Sequence, residues 1–529
     1  MKIWIACAGA LVLVAACGSS KNATAAMAAM QITDGKSGMV HFASKSASGD
    51  KVTLKDVVIA PEGAAAGEGI KAKTLVLAGL NMTKEGQPWF TDMTFTDVSP
   101  EKATDGVTVN LATMSLSHAN ESTGVFLASA FTKEGPGTPP PFDQWELGKV
   151  SFNGLKVAGD LSKMGQGGGV FNVVMDEASI SDLKNSIVGN AHLSGLKGDF
   201  NIPENATGGM PVAGKFDFGT GDMKGLRAGL FADAIEAGAK AGAGGGMTDD
   251  GKAQANAEAS ILAKMTSPID PGYDTLQWSG LNFEASGVKL TTTKVAQTAT
   301  RNNDGVVTAF VAPRASLTFS ANAADGQLGA QVSSALAAVG YQTIELYAQS
   351  DATYDPASET MRVKNYDLGM TDGFDLQMTG GFQGVLKALT SLVQTITLAE
   401  AGAFGNAQAS QPDMTGLEQL KVIDFDLALT DKSLVNHLLG LGGGDPESLR
   451  TDIVNEISGM GADLTNSGID PAVAKELTDA VAAFVKQPGK LEVKLAPPQP
   501  VALAAKDAKL TKETLGFSAV ATPGPAAPK

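Results

Sequence analysis

The chain predicts a mainly β (α+β) protein: a long antiparallel multi-stranded sheet, sandwich or groove, with inserted helices and a C-terminal helical cap. Three observations lead there. Apolar and polar residues alternate, one by one, through much of residues 38–385. A short motif, in which Gly or Asp separates two such runs, recurs along that span. After about residue 384 the apolar spacing lengthens to that of a helix.

The N-terminus, "MKIWIACAGALVLVAAC", has Lys2 followed by an uncharged run from Ile3 to Ala16. That run is shorter than the about 20 apolar residues a spanning helix needs. It fits the apolar region of an export signal, which ends in small residues. Val14, Ala15, Ala16 and Cys17 resemble the bacterial lipobox, in which the cysteine is acylated and becomes the first residue of the mature chain. An ordinary secretory signal with an incidental Cys17 is the alternative. The lipoprotein reading makes residues 1–16 a signal peptide and residues 17–37 a flexible tether. A single acyl chain holds a protein to a membrane only marginally, at about 0.8 kcal/mol per buried methylene. The several chains of a lipoprotein modification anchor it stably. In such lipoproteins an aspartate after the cysteine favours the inner membrane. Gly18 therefore implies the outer membrane, facing the periplasm.

With 529 residues the chain has room for two or three domains. Its two cysteines are Cys7, inside the signal, and Cys17. The mature body is therefore expected to hold no disulfide, no thiolate nucleophile and no cysteine metal ligand. A net charge of −16 disfavours non-specific binding to nucleic acid or to anionic lipid surfaces. The segment from Lys486 to Lys529 is locally basic, and reads as a solvated tail over residues 501–529 in preference to a phosphate- or lipid-contacting patch.

The recurring motif appears as Leu54-Lys55-Asp56-Val57, Leu77-Ala78-Gly79-Leu80, Phe95-Thr96-Asp97-Val98 and Phe152-Asn153-Gly154-Leu155. Further copies end at Leu183, Leu196, Leu226 and Leu281. At each copy the apolar parity switches: Val150 and Phe152 are even, Leu155 and Val157 odd. Strands turn alternate side chains to opposite faces. A single apolar face survives the switch if the motif is a two-residue hairpin turn or a β-bulge. Gly and Asp tolerate the positive φ that either demands. "ASLTFSANA", "YQTIELYAQS", "MRVKNYDLGM" and "FDLQMTGGF" continue the strands, with "NNDG" and "YDPASE" as turns. An Ala-, Gly- and charge-rich stretch at about 228–265 reads as a helical insertion.

Residues 386–500 read as a helix-rich subdomain with flanking strands. "GVLKALTSLVQTITLAEAG" is helical and "LKVIDFDLALT" a strand. Two helices open on Asp445-Pro446 and Asp470-Pro471, an N-cap followed by proline at the first helical position. Leu449, Ile453, Ile457 and Met460 form the apolar stripe of the first. Val473, Leu477, Val481, Phe484 and Val485 form that of the second. Both stripes read as core faces covering a sheet. "GKLEVKLAPPQPVAL" follows as a strand stopped by prolines.

"DFDLALTDKSLVNHLLGL" and "FVKQPGKLEVKLAPPQPVAL" resemble the C-terminal pattern of uncharacterised Gram-negative envelope proteins. The alternating body is similar to the strand-rich scaffolds of AsmA-like envelope proteins. The resemblance implies a lipid-shielding scaffold without catalytic residues. It departs from those proteins in its lipid anchor, where they use an inner-membrane helix.

Sites for chemistry are sparse. His41, His118, His192 and His437 show no metal-ligand spacing, and read as packing or solvated residues. No G-x-S-x-G elbow or phosphate-binding loop occurs. "GQGGGV" and "LGGGD" read as loops, Asp249-Asp250 as solvated linker, and Asn302 to Gly305 as a turn in preference to a calcium loop. No catalytic, cofactor or metal residue is assigned; Cys17 is the one site residue, for lipidation. The expected function is a non-enzymatic, membrane-anchored lipoprotein that binds or shields lipid or another apolar ligand. A structural lipoprotein that assists outer-membrane assembly through an envelope protein partner is the alternative, and an enzyme acting on envelope polymers ranks below both.

Overall fold

A computed structural model describes residues 21–32, 35, 39–60, 67–102, 106–132, 139–163, 168–204, 210–230, 265–389, 417–441, 445–466, 468–502 and 510–524. Cys17, most of the expected insertion at 228–265 and most of the helix expected after residue 384 lie outside them. The chain forms two compact units, Met1–Gly229 with Trp278–Ser286, and Leu230–Gln277 with Gly287–Lys529. Every strand pairing with an assigned register is antiparallel, and the protein is mainly β with several helices, as expected from its alternation.

The first unit opens with α1 (Lys21–Ala29), β1 (Val40–His41), β2 (Ser44–Ser48), β3 (Lys51–Ile59), β4 (Ile70–Ala78), β5 (Asn81–Met82) and β6 (Pro88–Trp89). It continues with β7 (Asp92–Pro100), β8 (Val107–Ser117), α2 (Glu121–Ser129), β9 (Leu147–Asp160), β10 (Val170–Leu183), β11 (Val188–Ser194) and β12 (Lys197–Ile202). β13 (Val212–Asp217), β14 (Thr220–Leu226) and β16 (Asn282–Ala285) follow, while β15 (Thr275–Trp278) falls mostly among the second unit's residues. The sheet runs β3, β4, β7, β8, β9, β10 as a meander. Beyond β10, β11 and β12 lie end to end along one strand, as do β14 and β13 in the next position.

The recurring motif is not a hairpin. Asp56, Asp97, Gly154 and Asp182 lie inside single strands with φ of 52°, 49°, 65° and 56°. The left-handed residue re-aims the strand as a bulge does, yet the register is the same on both sides: Asn153 pairs with Glu177 and Leu155 with Met175. The facing residue drops out of the ladder too, so the count stays even. These kinks align across the sheet, with Asp56, Lys73, Asp97, Ala112, Gly154, Asp176 and Gly195 facing one another in turn. A Cβ on Gly154 would stand 2.8 Å from that of Ala112, which together with its φ explains the glycine.

The kink keeps one apolar face, as the parity demanded. Val52 and Leu54 before Asp56, and Val57 and Ile59 after it, are all at most 1% exposed and share one core. α1 covers that core with Ala23, Ala26, Met27 and the following Met30; Phe90 and Phe131 add an edge-to-face ring pair, centroids 5.5 Å apart. The expected flexible tether over 17–37 is corrected here. Ala23, Ala26, Met27 and Met30 recur at helical spacing, and their burial draws residues 21–29 into the domain. α2 and the loop after it cover a second cluster around Leu116, Leu147, Leu183 and Val188.

The second unit contains β17 (Val288–Thr292), β18 (Val295–Arg301), β19 (Val307–Ala321), α3 (Gln327–Ala338), β20 (Thr343–Asp355), β21 (Thr360–Met370) and β22 (Phe374–Gln383). β23 (Lys421–Asp431), α4 (Leu434–Leu441), α5 (Pro446–Asn466), α6 (Pro471–Lys486), β24 (Gly489–Leu495), β25 (Val501–Ala502), α7 (Lys512–Leu515) and β26 (Phe517–Pro523) complete it. β19 to β24 follow one another in the sheet, and β26 pairs with β24. α6 starts where its caps predict: the Asp470 carboxylate accepts from the Ala472 amide at 2.7 Å, with Pro471 in the first turn. Its Val473, Ala480 and Phe484 pack on Leu491, Phe517 and Ala519.

Two expectations are corrected in this unit. Residues 501–529 are not simply a solvated tail, because Phe517, Ala519 and Ala521 alternate, pair with β24 and close the core under α6. The stripe on α5 is not a core face. Leu449, Ile453 and Ile457 are partly exposed and Met460 is 49% exposed. α5 packs on α6, and its buried residue is Arg450, which donates to the Val485 carbonyl at 2.6 Å and to Asn436 Oδ1 at 2.8 Å.

Candidate functional site

In the first unit the sheet continues past its covered cores as an apolar floor. One cross-strand row reads Leu111, Leu155, Met175. The next reads Val109, Val157, Val173, Gly198, Phe216, Phe283, and the third Val107, Gly159, Phe171, Phe200, Gly214, Ala285. Alternate residues Asn110, Lys156, Asn172, Lys197, Asp199 and Lys215 point to the other face and are exposed. There Lys197 meets Asp217 at 3.0 Å and Lys215 meets Glu284 at 3.2 Å, surface pairs that add little stability.

Glycines shape the floor. The Phe171 ring lies where a Cβ on Gly159 would stand. A Cβ on Gly198 would come within 2.5 Å of the Phe216 ring, and one on Gly214 within 2.6 Å of Phe200. The rings therefore lie down over glycines of neighbouring strands, and Phe200 stacks on Phe283 with centroids 6.3 Å apart. Phe171, Val173, Phe200, Phe216 and Phe283 remain partly exposed. None of these five residues belongs to a buried core cluster among the described residues. Six strands at about 4.8 Å spacing make the floor ~24 Å wide. An acyl chain, which spans one leaflet of about 15 Å, fits across it.

The second unit repeats the pattern. A row of Ala348, Leu368, Leu376, Leu429 and Leu491 crosses β20 to β24. At the α6 end Leu491 is 7% exposed; at the other, Leu368 and Leu376 are partly exposed and neighbouring Leu346 is 39% exposed.

Buried charge sits elsewhere and fastens the fold. Arg301 donates to both Asp270 oxygens at 2.7 and 2.9 Å and to Asp274 at 2.7 Å, with Arg301 and Asp270 almost fully buried. Desolvation opposes the charge on Arg301, and the two carboxylates outweigh it, raising its pKa above the ordinary value. The network ties the loop before β15 to the end of β18.

The histidines are dispersed. His41 pairs with Val58 in the ladder, His118 packs over Gly148, and His192 Nδ1 meets Asp222 Oδ1 at 2.8 Å. His437 lies against Tyr341, ring centroids 4.5 Å apart. Asn302 Oδ1 accepts from the Asp304 and Val306 amides at 3.0 Å each, a side-chain turn as read from the sequence. Asp249-Asp250 and most of the two Gly-rich loops lie outside the described residues. Among the described residues no helix is long and apolar enough to cross a membrane. The floor phenylalanines belong to no chemical motif; the signal that marks them is Gly recurring at apolar-parity positions, as in "KGDFN" and "AGKFDFG".

A family model described only as an uncharacterized protein matches residues 367–522, from the end of β21 to β26. No curated protein matches the chain.

Proposed function

We propose that the chain is an envelope lipoprotein, anchored through acylated Cys17 at the periplasmic side of the outer membrane, that binds or shields lipid acyl chains on its partly exposed sheet faces. The carrying observation is the glycine-lined phenylalanine floor, an ordered apolar surface left partly open while its neighbours on the same sheet are closed by α1 and α2. Apolar faces of this extent on a sheet mark a binding surface. The "VAAC" sequence supports the anchor. The role is carriage or shielding in place of catalysis.

A second reading, an interaction scaffold for an envelope protein, draws support from Leu438, Leu441 and Met460, which are 54%, 48% and 49% exposed on α4 and α5. Native mass spectrometry of the Cys17→Ala protein with its signal replaced separates the two. Co-purifying acyl lipid, lost in a Val173→Asp, Phe216→Asp variant, supports lipid binding. An empty protein that also takes up no added neutral acyl probe overturns it in favour of the scaffold.

A further inference from the structure

The second unit holds a cavity of about 620 Å³ at the strand ends, lined by Tyr341 and Thr343 before and at the start of β20, Asp372 in the β21–β22 turn, and Lys432, Ser433 and His437 after β23. It lies where the apolar face ends: Leu346, Met370 and Phe374 form the last cross-strand row, and Phe374 pairs with Asp431, next to Lys432.

Its polar groups are incompletely used. Lys432 Nζ donates to the Thr371 carbonyl at 3.1 Å, which occupies one of its three protons. Lys432 and Asp372 line one cavity and form no ion pair with each other or with another described side chain. His437 Nδ1 is buried without a hydrogen-bond partner, so a ligand in the cavity meets the ring at its other edge. Its ring is held by Tyr341 and by the close approach of Gly340, where a Cβ would stand 2.5 Å from Nε2. Ser433 Oγ donates to the Asp372 carbonyl at 2.5 Å, so in the 2.9 Å contact between the two hydroxyls it is Tyr341 that donates. To reach a ligand that proton would have to leave Ser433, whose hydroxyl keeps its bond to the Asp372 carbonyl.

We propose that this cavity binds a zwitterionic phosphodiester, with the phosphate on Lys432, His437 and Tyr341 and the ligand's ammonium on Asp372. Separate, unpaired cation and carboxylate suit a group carrying both charges, where a simple anion would meet Asp372 at a cost. The site deepens the lipid reading, on which it rests: the phosphodiester is the headgroup of a lipid whose chains lie on the adjoining apolar face.

The test titrates the full-length Cys17→Ala protein with three probes, followed by calorimetry: glycerophosphoethanolamine, dihexanoyl phosphatidylethanolamine and glycerol 3-phosphate. Both ethanolamine probes should bind, the dihexanoyl lipid more tightly, and glycerol 3-phosphate at least about tenfold more weakly. Lys432→Ala and Asp372→Asn should each weaken the ethanolamine probes about tenfold or more, the loss of one hydrogen bond to a charged group. Tyr341→Phe keeps the packing on His437 and should weaken them less. Equal binding of glycerol 3-phosphate, or titrations unchanged by Lys432→Ala and Asp372→Asn in protein with wild-type thermal melting, overturns the site. Binding of glycerophosphoethanolamine without uptake of a neutral acyl probe keeps the cavity and rejects the acyl-chain reading. Uptake of the acyl probe without headgroup binding does the reverse.

Discussion

Two stretches of the first unit's sheet have the same alternation and the same row of kinks, yet different fates. Over β3, β4 and β7, Leu54, Leu75 and Leu77 are completely buried beneath α1 and its neighbours. Over β10, β12, β13 and β16, Phe171, Phe200, Phe216 and Phe283 are partly exposed, with glycines recessed between them. The difference lies in what covers the face and in residue size, since the strand pattern is common to both. Leucine and valine under a helix make a core. Phenylalanine over glycine makes a smooth apolar floor that the described residues leave partly exposed.

The comparison breaks most visibly in stability. Leu75→Ala should cost about 2–5 kcal/mol, because it opens a cavity in a closed core. Phe216→Ser, on the floor, should cost markedly less while abolishing acyl-probe uptake; urea unfolding and probe fluorescence on the same samples check both. A floor substitution as costly as the core one would mean that the floor is a core.

Filling the floor comes next. Gly198→Val places side-chain atoms where the Phe216 ring lies, and overpacking of this kind costs about 1–3 kcal/mol. The acyl probe should bind more weakly to it. Gly154→Ala strains a residue at φ 65° and crowds Ala112, for a loss of about 1–2 kcal/mol, whereas Asp97→Gly in the same row should be neutral within error. Denaturant midpoints separate these effects.

The smallest effect concerns the covered end of the second unit. Glu476 accepts from Lys512 and, at 3.1 Å, from the Ala519 amide, joining α6 to β26. Lys512 holds its pKa below the ordinary glutamate value. With the folded pKa below the unfolded one, the contribution is present above about pH 4.3 and is lost as pH falls through the folded value. Protection of the Ala519 amide from hydrogen exchange should therefore fall on acidification below that range, and Glu476→Gln should remove this acid-dependent step.

Much of this was legible in the chain. Period-two alternation gave the strands, the parity switch at Asp56 and Gly154 required a single apolar face, and Asp470-Pro471 placed the start of α6. Local patterns report which way a side chain points, and they do not report what lies over it. For that reason α5, with a stripe as regular as that of α6, was expected in the core and instead packs on α6 around Arg450. Composition misled at the ends: an alanine-rich segment became α1 once its methionines found a core, and the lysine-rich C-terminus contains β26, whose Phe517 and Ala519 are buried. The cavity at Tyr341 and Ser433 joins residues far apart in sequence, with no spacing to announce it.

Residues 18–529 contain no cysteine, so protein with Cys17 replaced and the preceding residues exchanged for another signal takes one polarity-sensitive label at a time. Val157→Cys places it on the floor and Lys156→Cys on the opposite face of the same strand. On adding a long-chain phospholipid, a blue shift at position 157 with none at 156 is expected if acyl chains lie on the floor. Equal shifts at both positions, or none at either, would contradict it.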